Sequence, residues 1–297
     1  MGNIVSITRV NFLPLTVVIV VAGLAGSFYA HGAFNGFDAL LVLVGALLTH
    51  ASVNAFNNYF DYRSRIDART VKTPFSGGVE VLVKGEMKST NALAVATTCL
   101  VAAFLIGIYF LSRLFNVLLP LVLYGGLMIV LYTPVLSRIH GLSEIVAGSG
   151  FGLMGLGVYV TQAGLIDGTG LAIFVPVTIL VAMLLFLNEF PDAEVDREAG
   201  RRHLVTLLGK RKAAKIYGIC LAATYLSILL AVTLGAAPIP TLISFLTVPI
   251  SYRAAKLTLK NYDRTSDLIP ALGLNVIMIL STIALLGTGF LIGLVVR

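Results

Sequence analysis

Runs of about twenty residues without Asp, Glu, Lys or Arg recur along this chain, the length a helix needs to cross a hydrocarbon layer about 30 Å thick. Nine such runs are found, at 12–30, 39–60, 91–112, 114–137, 145–166, 168–188, 216–234, 237–255 and 268–296, the eighth being the weakest because Arg253 lies near its end. Lipid offers the backbone no hydrogen-bond partner, so helices are the expected answer. The sequence therefore predicts an all-α integral membrane protein of nine transmembrane helices in a single domain, 1–297. Composition agrees: 58% of the 297 residues are hydrophobic and 12% are charged, where soluble domains carry about a quarter charged. A soluble enzyme and a disordered chain are excluded.

The net charge of +7 raises the question of a nucleic-acid partner, which the placement of the basic residues answers. With the amino terminus cytoplasmic, 19 of the 21 Lys and Arg fall on that side, and only Arg113 and Arg297 on the other. That asymmetry is the positive-inside signature of a multi-pass protein of the cell membrane, so no nucleic-acid partner is expected. Arg9 and the apolar run after it read as a first spanning helix, because eight more spans follow. Cys99 and Cys220 both lie in apolar spans, which suggests buried thiols. The glycine runs Gly148-Ser-Gly150-Phe-Gly152 and Gly155-x-Gly157 suit close helix packing.

Two long polar connections, 61–90 and 191–215, lie on the cytoplasmic side and are expected to form one cap. They hold eight of the fourteen carboxylates: Asp61, Asp67, Glu80 and Glu86 in one, Asp192, Glu194, Asp196 and Glu198 in the other. Acidic groups at a membrane boundary are costly unless paired, hydrated or bound to a cation. Asn57 and Asp61 stand four apart, as do Asn188 and Asp192, and both members are offset by 131 residues, which reads as an internal repeat. Residues four apart share a helix face, so each pair aims an amide and a carboxylate at one point. Asp196 continues the second series, whereas six residues of regular helix would rotate Asp67 about 240° from Asp61, so the helix is expected to end or bend within 62–66. Solvated loops balancing their own charge would account for one such cluster, but not for a duplicated pattern. Hard oxygen ligands suit Mg²⁺ bound with substrate phosphates, and two clusters could hold two ions with a diphosphate between them.

The segment Asn54-Ala-Phe-Asn57-Asn-Tyr-Phe-Asp61 with Asp67, and Asn188-Glu-Phe-Pro-Asp192-Ala-Glu-Val-Asp196-Arg-Glu-Ala-Gly200, resemble the two aspartate-rich motifs of the UbiA superfamily of intramembrane prenyltransferases. The spacing Asn57-x3-Asp61-x5-Asp67 is similar to that of the 1,4-dihydroxy-2-naphthoate prenyltransferase branch. Arg9-x-x-x-Leu13-Pro14, and Tyr132-Thr133 before Gly141-Leu-Ser-Glu144, point the same way. Two departures stand out: Asn58 where the family usually has Asp, and His203 where it usually has Thr.

The resemblance implies a transferase that moves an isoprenyl chain from a prenyl diphosphate to a lipophilic or aromatic acceptor, as in menaquinone biosynthesis. Two Mg²⁺ would be held by Asp61, Asp67, Asp192 and Asp196, with Asn57 and Asn188 orienting diphosphate or metal-bound water. Arg63, Arg69, Lys72, Arg197 and Arg201 are candidates to neutralise the diphosphate, Lys72 and Arg197 foremost. Tyr132 could offer its ring face to the allylic cation, and the chain would lie among apolar side chains and leave sideways into lipid. Glu144 and Glu189 are spare carboxylates available as bases. The competing acceptor is geranylgeranylglyceryl phosphate, of ether-lipid synthesis. An ion-coupled secondary transporter would also repeat its helices, but the acidic residues here lie at one membrane face rather than at span centres.

Overall fold

The structure is a computed structural model that describes residues 2–67, 69, 70, 72–76 and 78–296. All its regular elements are helical: α1 (Gly2–Ile7), α2 (Pro14–His31), α3 (Gly36–Arg63), α4 (Glu80–Val83), α5 (Ser89–Leu131), α6 (Leu142–Ala163), α7 (Gly168–Glu198), α8 (Leu204–Leu208), α9 (Lys210–Thr233), α10 (Val248–Asn261) and α11 (Thr265–Val295). Local chemistry sets the boundaries. Pro14 opens α2, where a missing N–H costs nothing. The Asn35 side chain caps α3 by accepting from Phe37 and Asp38 N–H, and Asp167 caps α7 by accepting from Thr169 and Gly170 N–H.

Among the described residues seven helices are long and apolar enough to cross a membrane, against the nine spans expected. The difference arises at two places. The expected third and fourth spans form the single 43-residue element α5, with one non-helical residue inside it, Leu114. A straight helix of that length would measure about 65 Å, twice the hydrocarbon layer. Arg113 Nη1 pairs with Asp38 Oδ2 at 2.7 Å near the start of α3, whereas Thr133 Oγ1 accepts from Asn57 Nδ2 at 3.2 Å near its end. Between them Ser52 Oγ donates to Ala96 O at 2.8 Å. The chain thus runs down α3, turns at Leu114 and returns. The eighth span is divided between a 3-10 stretch, Ile239–Thr247, and the 14-residue α10. Arg297 lies outside the described residues.

The core is built where α2, α6, α7, α9 and α11 meet, around Ile19, Tyr159, Ile173, Phe186, Tyr217 and Phe290. The glycines of α6 allow its closest approach to α7. A Cβ at Gly152 would collide with Thr178 Oγ1 and come within 2.9 Å of Phe174 O, and one at Gly148 would strike Thr178 O. The larger polar side chains inside the core find partners, as burial favours: Tyr217 Oη donates to Asn275 Oδ1 at 2.9 Å, and Asn275 Nδ2 to Met183 O at 3.2 Å. At the end of the bundle remote from the aspartate motifs, Tyr159 Oη donates to Asp167 at 2.7 Å and His31 Nε2 lies 2.8 Å from it.

Candidate active site

Both aspartate motifs end a helix in the same way. After α3, Arg65 takes a left-handed conformation (φ 59°), Arg65 N–H bonds to Tyr62 O and Ile66 N–H reaches back to Asp61 O at 3.1 Å. After α7, Gly200 takes φ 82°, Gly200 N–H bonds to Arg197 O and Arg201 N–H reaches back to Asp196 O at 2.9 Å. These are paired Schellman closures. In the sequence repeat Asp61 corresponds to Asp192, yet at the helix ends it corresponds to Asp196, so α7 runs one turn longer than α3. The helix end expected within 62–66 is found there, and it brings Asp67 back beside Asp61.

Asp61, Asp67, Asp192 and Asp196 all line one cavity of about 300 Å³ and are each at least nine-tenths buried. Arg201 joins the motifs: Nη2 donates to Asp61 Oδ1, and Nη1 to Asp196 Oδ1 at 3.2 Å. Burial works against the Arg201 charge, but Asp61 and Asp196 hold it above its ordinary range. Burial, with Asp61 adding to it, pushes the Asp67 carboxyl up to about 7. Asp67 Oδ2, Asp192 Oδ1 and Asn188 Oδ1 are buried and accept no hydrogen bond among the described residues. Gly78 (φ +70°) lies so close to Asp67 that a Cβ there would overlap the carboxylate. Unpartnered hard oxygens held in a tight loop fit a divalent cation such as Mg²⁺.

Asn57, Asn188, Tyr132 and Arg201 are brought to the cavity; Arg63, Arg69 and Arg197 are not. Neighbouring residues on a helix point about 100° apart, so Arg197 faces outward where Asp196 faces in, and all three arginines are exposed. Arg63 lies 6.0 Å over the Tyr59 ring. Lys72 is exposed beside the first motif, its Nζ donating to Asp67 O at 2.9 Å.

A further cation reaches the cavity that residue spacing had not singled out as a ligand: Arg9. It sits in a left-handed conformation (φ 50°) just before the first long helix, a strained choice for a residue with a Cβ. Its Nη2 donates to Asn58 Oδ1 at 2.8 Å and to Asn57 Oδ1 at 3.5 Å, while Nε has no partner among the described residues. Burial lowers the Arg9 guanidinium from its ordinary value, with Asp67 and Asp61 acting the other way. Asn58 is fully buried and donates to Ile7 O and Asn54 O, both at 2.9 Å. The departure from Asp at this position therefore holds Arg9 through a neutral amide and leaves its charge free for the cavity.

Beyond the carboxylates the cavity wall turns apolar, with Leu15, Val53, Met128, Phe151, Met154 and Leu184. His50 interrupts it, its Nδ1 2.8 Å from Thr16 Oγ1 and its ring edge-on to Phe151 at 4.8 Å. A polar mouth lined by carboxylates thus opens on a chamber with an apolar wall.

Comparison with known proteins agrees with this geometry. The chain is 28% identical over 267 residues to a 1,4-dihydroxy-2-naphthoate octaprenyltransferase of Bacillus subtilis (strain 168), covering 86% of this chain and 82% of that protein. Its fold is that of a UbiA homolog from Aeropyrum pernix K1 (TM-score 0.74, 20% identity, 93% and 97% of the two chains). It is also that of a UbiA homolog from Archaeoglobus fulgidus bound to GPP and Mg²⁺ (TM-score 0.68, 16% identity, 96% and 99%). A structure described as concerning digeranylgeranylglyceryl phosphate synthase in membranes is similar to the same degree (TM-score 0.68, 17% identity, 100% and 99%). Residues 17–283 match the UbiA prenyltransferase family. With nine-tenths of its length inside that match, this integral membrane protein is a prenyltransferase and belongs to the UbiA family.

Proposed function

We propose that this enzyme transfers an isoprenyl chain from a prenyl diphosphate to an aromatic quinone precursor of the dihydroxynaphthoate type. The observation that carries the reading is the meeting of four buried carboxylates at the mouth of an apolar chamber, with one oxygen each of Asp67, Asp192 and the neighbouring Asn188 unpartnered among the described residues. The whole chain, 1–297, would act as one unit in the cell membrane, crossing it nine times with the mouth and its cap of loops on the cytoplasmic side.

Asp61, Asp67, Asp192 and Asp196 would hold Mg²⁺, two ions by the pairing of the motifs. When bound, Mg²⁺ supplies positive charge against the diphosphate oxygens. Arg201 and Arg9 add fixed charge at the mouth, where it counts most as the allylic carbon–oxygen bond breaks and its electron pair leaves with the diphosphate. Lys72 lies near enough to the first motif to join them. Asn57 and Asn188 orient the leaving group. Tyr132 presents its ring where positive charge grows on the allylic carbon. The apolar wall takes the isoprenyl tail and keeps water from the carbon before the acceptor reaches it.

Support for the acceptor comes from the Bacillus subtilis relative, whose name specifies dihydroxynaphthoate. The rival acceptor, geranylgeranylglyceryl phosphate, is favoured by the digeranylgeranylglyceryl phosphate synthase neighbour, but at 17% identity that likeness concerns the fold. Purified protein with Mg²⁺ and a prenyl diphosphate is offered each acceptor separately. Prenylated dihydroxynaphthoate is the expected product. Transfer to the glycerol phosphate alone overturns the acceptor, and absence of Mg²⁺-dependent diphosphate release overturns the reading of the mouth.

A further inference from the structure

Two acidic side chains adjoin the cavity that the reaction above leaves unused. Glu189 in α7 and Glu144 in the first turn of α6 are 7% and 2% exposed. Their oxygens and a ring nitrogen of His203 come within 4.8 Å of one another. Ser143 Oγ donates to Glu144 Oε2 at 2.7 Å and lies 3.4 Å from Glu189 Oε1. Glu144 Oε1 accepts Leu204 N–H at 2.6 Å, so Glu144 is satisfied. Glu189 is not, because its Oε2 has no hydrogen-bond partner among the described residues.

The histidine does not supply one. His203 Nδ1 lies 3.5 Å from Glu189 Oε2, but it already accepts Thr206 N–H at 3.3 Å. A nitrogen that accepts from a backbone N–H carries no proton of its own, so Nε2 bears the ring proton and donates it to Asp196 Oδ2 at 3.2 Å. His203 therefore has no proton to offer Glu189. Among the described residues no Lys or Arg forms an ion pair with Glu144 or Glu189. Of the two carboxylates Glu189 borders the cavity, together with Ser143 and Tyr132, while Glu144 backs it.

A buried acceptor oxygen without a donor is costly, and a ligand that brings the missing O–H removes that cost. We propose that Glu189, held in place by Glu144 and Ser143, is the hydroxyl-binding subsite for the prenyl acceptor, taking a phenol-type O–H on Oε2. This rests on the reading of the cavity as the place where a hydroxylated ring meets the allylic carbon. The subsite lies on the same helix as Asp192, one turn earlier, which sets the ring beside the departing diphosphate. A hydroxyl hydrogen-bonded to a carboxylate also makes its ring richer in electrons, which favours attack by ring carbon. A phosphate head brings acceptor oxygens and negative charge, neither of which Glu189 can use.

The test uses the purified full chain with Mg²⁺, a prenyl diphosphate, and two acceptors: a dihydroxynaphthoate and the same ring with one hydroxyl O-methylated. Glu189→Gln should raise KM for the dihydroxy acceptor about 10- to 100-fold, the range for a buried polar group left without its partner. Affinity for a non-reacting thiolodiphosphate donor analogue should stay within about two-fold. O-methylation should penalise the wild type heavily and the variant little, the coupling expected of groups in contact. Binding of the donor analogue also shows that the variant is folded, and Glu144→Gln is the second variant, expected to shift the same KM less. The proposal is overturned if both proteins respond equally to O-methylation, if donor affinity falls with acceptor affinity, or if Glu189→Gln removes a bound divalent ion. Failure of the wild type to prenylate any hydroxylated ring overturns the acceptor class and this subsite together, whereas the other outcomes remove the subsite alone.

Discussion

Replacing Arg201 by Gln removes the guanidinium that bridges the two motifs. Its side chain is 18% exposed and those of Asp61 and Asp196 are 8% and 5% exposed, so water cannot take its place at either carboxylate. Breaking a buried ion pair from one side costs about 3–5 kcal/mol, mostly from the charge left behind. At roughly 2–4 °C per kcal/mol for a chain of a few hundred residues, melting should fall by roughly 6–20 °C in chelator. Mg²⁺ should then restore much of the loss. A ligand at 100 times its Kd adds about 2.7 kcal/mol, and in the variant it no longer competes with Arg201 for the same oxygens. The Mg²⁺-induced rise should therefore be larger in the variant than in the wild type. Thermal unfolding in detergent, with chelator and across a Mg²⁺ titration, measures both effects. Arg197→Gln, on the outward face next to Asp196, serves as the control and should stay within about 0.5 kcal/mol. Equal stability of wild type and Arg201→Gln in chelator, or equal gains from Mg²⁺, refutes the idea that Arg201 stands in for cation charge.

Asp61→Ala and Asp192→Ala should each lower turnover by at least about 10²-fold, the cost of losing one electrostatic contact to a transition state, while Glu80→Ala and Glu86→Ala change it little; steady-state product formation decides, and equal damage from the Glu variants refutes the motif assignment. Gly152→Ala should destabilise by about 1–3 kcal/mol through overpacking against Thr178 and Phe174, and Gly157→Ala, which meets nothing within 4 Å, should not; thermal melts compare them, and equal melting of the two refutes the packing reading of the glycines. Single cysteines at Lys84 and Arg211, in a chain lacking Cys99 and Cys220, should react with an impermeant thiol reagent from the same side of the membrane, and labelling from opposite sides refutes the common cap.

Helix periodicity and charge made much of this legible in advance. Four-residue spacing shows which side chains share a helix face, and that was enough to pick out Asn57, Asp61, Asn188 and Asp192. It does not show what stands opposite, so Arg201 was one of five basic candidates, and Lys72 and Arg197 ranked ahead of it on proximity in sequence. Proximity misled for Arg197 because adjacent residues on a helix diverge. Arg9 lies 48 residues from Asn57 and reaches it through a left-handed turn, which no periodicity reports; Pro14, marking the helix start just beyond it, was the available signal. Glu144, Glu189 and His203 were each visible, but their meeting depends on the approach of α6 to α7 and on the turn into α8. The span count differed for a related reason: absence of charge marks where a chain can enter lipid, not whether two such stretches are separate elements. Family membership decides the choice between enzyme and transporter in favour of the enzyme.

The two aspartate motifs ride on helices with different neighbours. α3 packs mainly against α5, whereas α7 packs against α6, α9 and α11, and the guanidinium of Arg201 joins their ends. The gap between Asp61 and Asp196 is therefore bridged by a charged side chain, as a calliper's jaws close on what is placed between them. A small, strongly charged filler would draw the jaws in, and an empty or singly charged gap would leave them slack. The donor, arriving with its cations, would then do more than occupy its half of the chamber: it would fix the width of the mouth through which the second substrate must find its place.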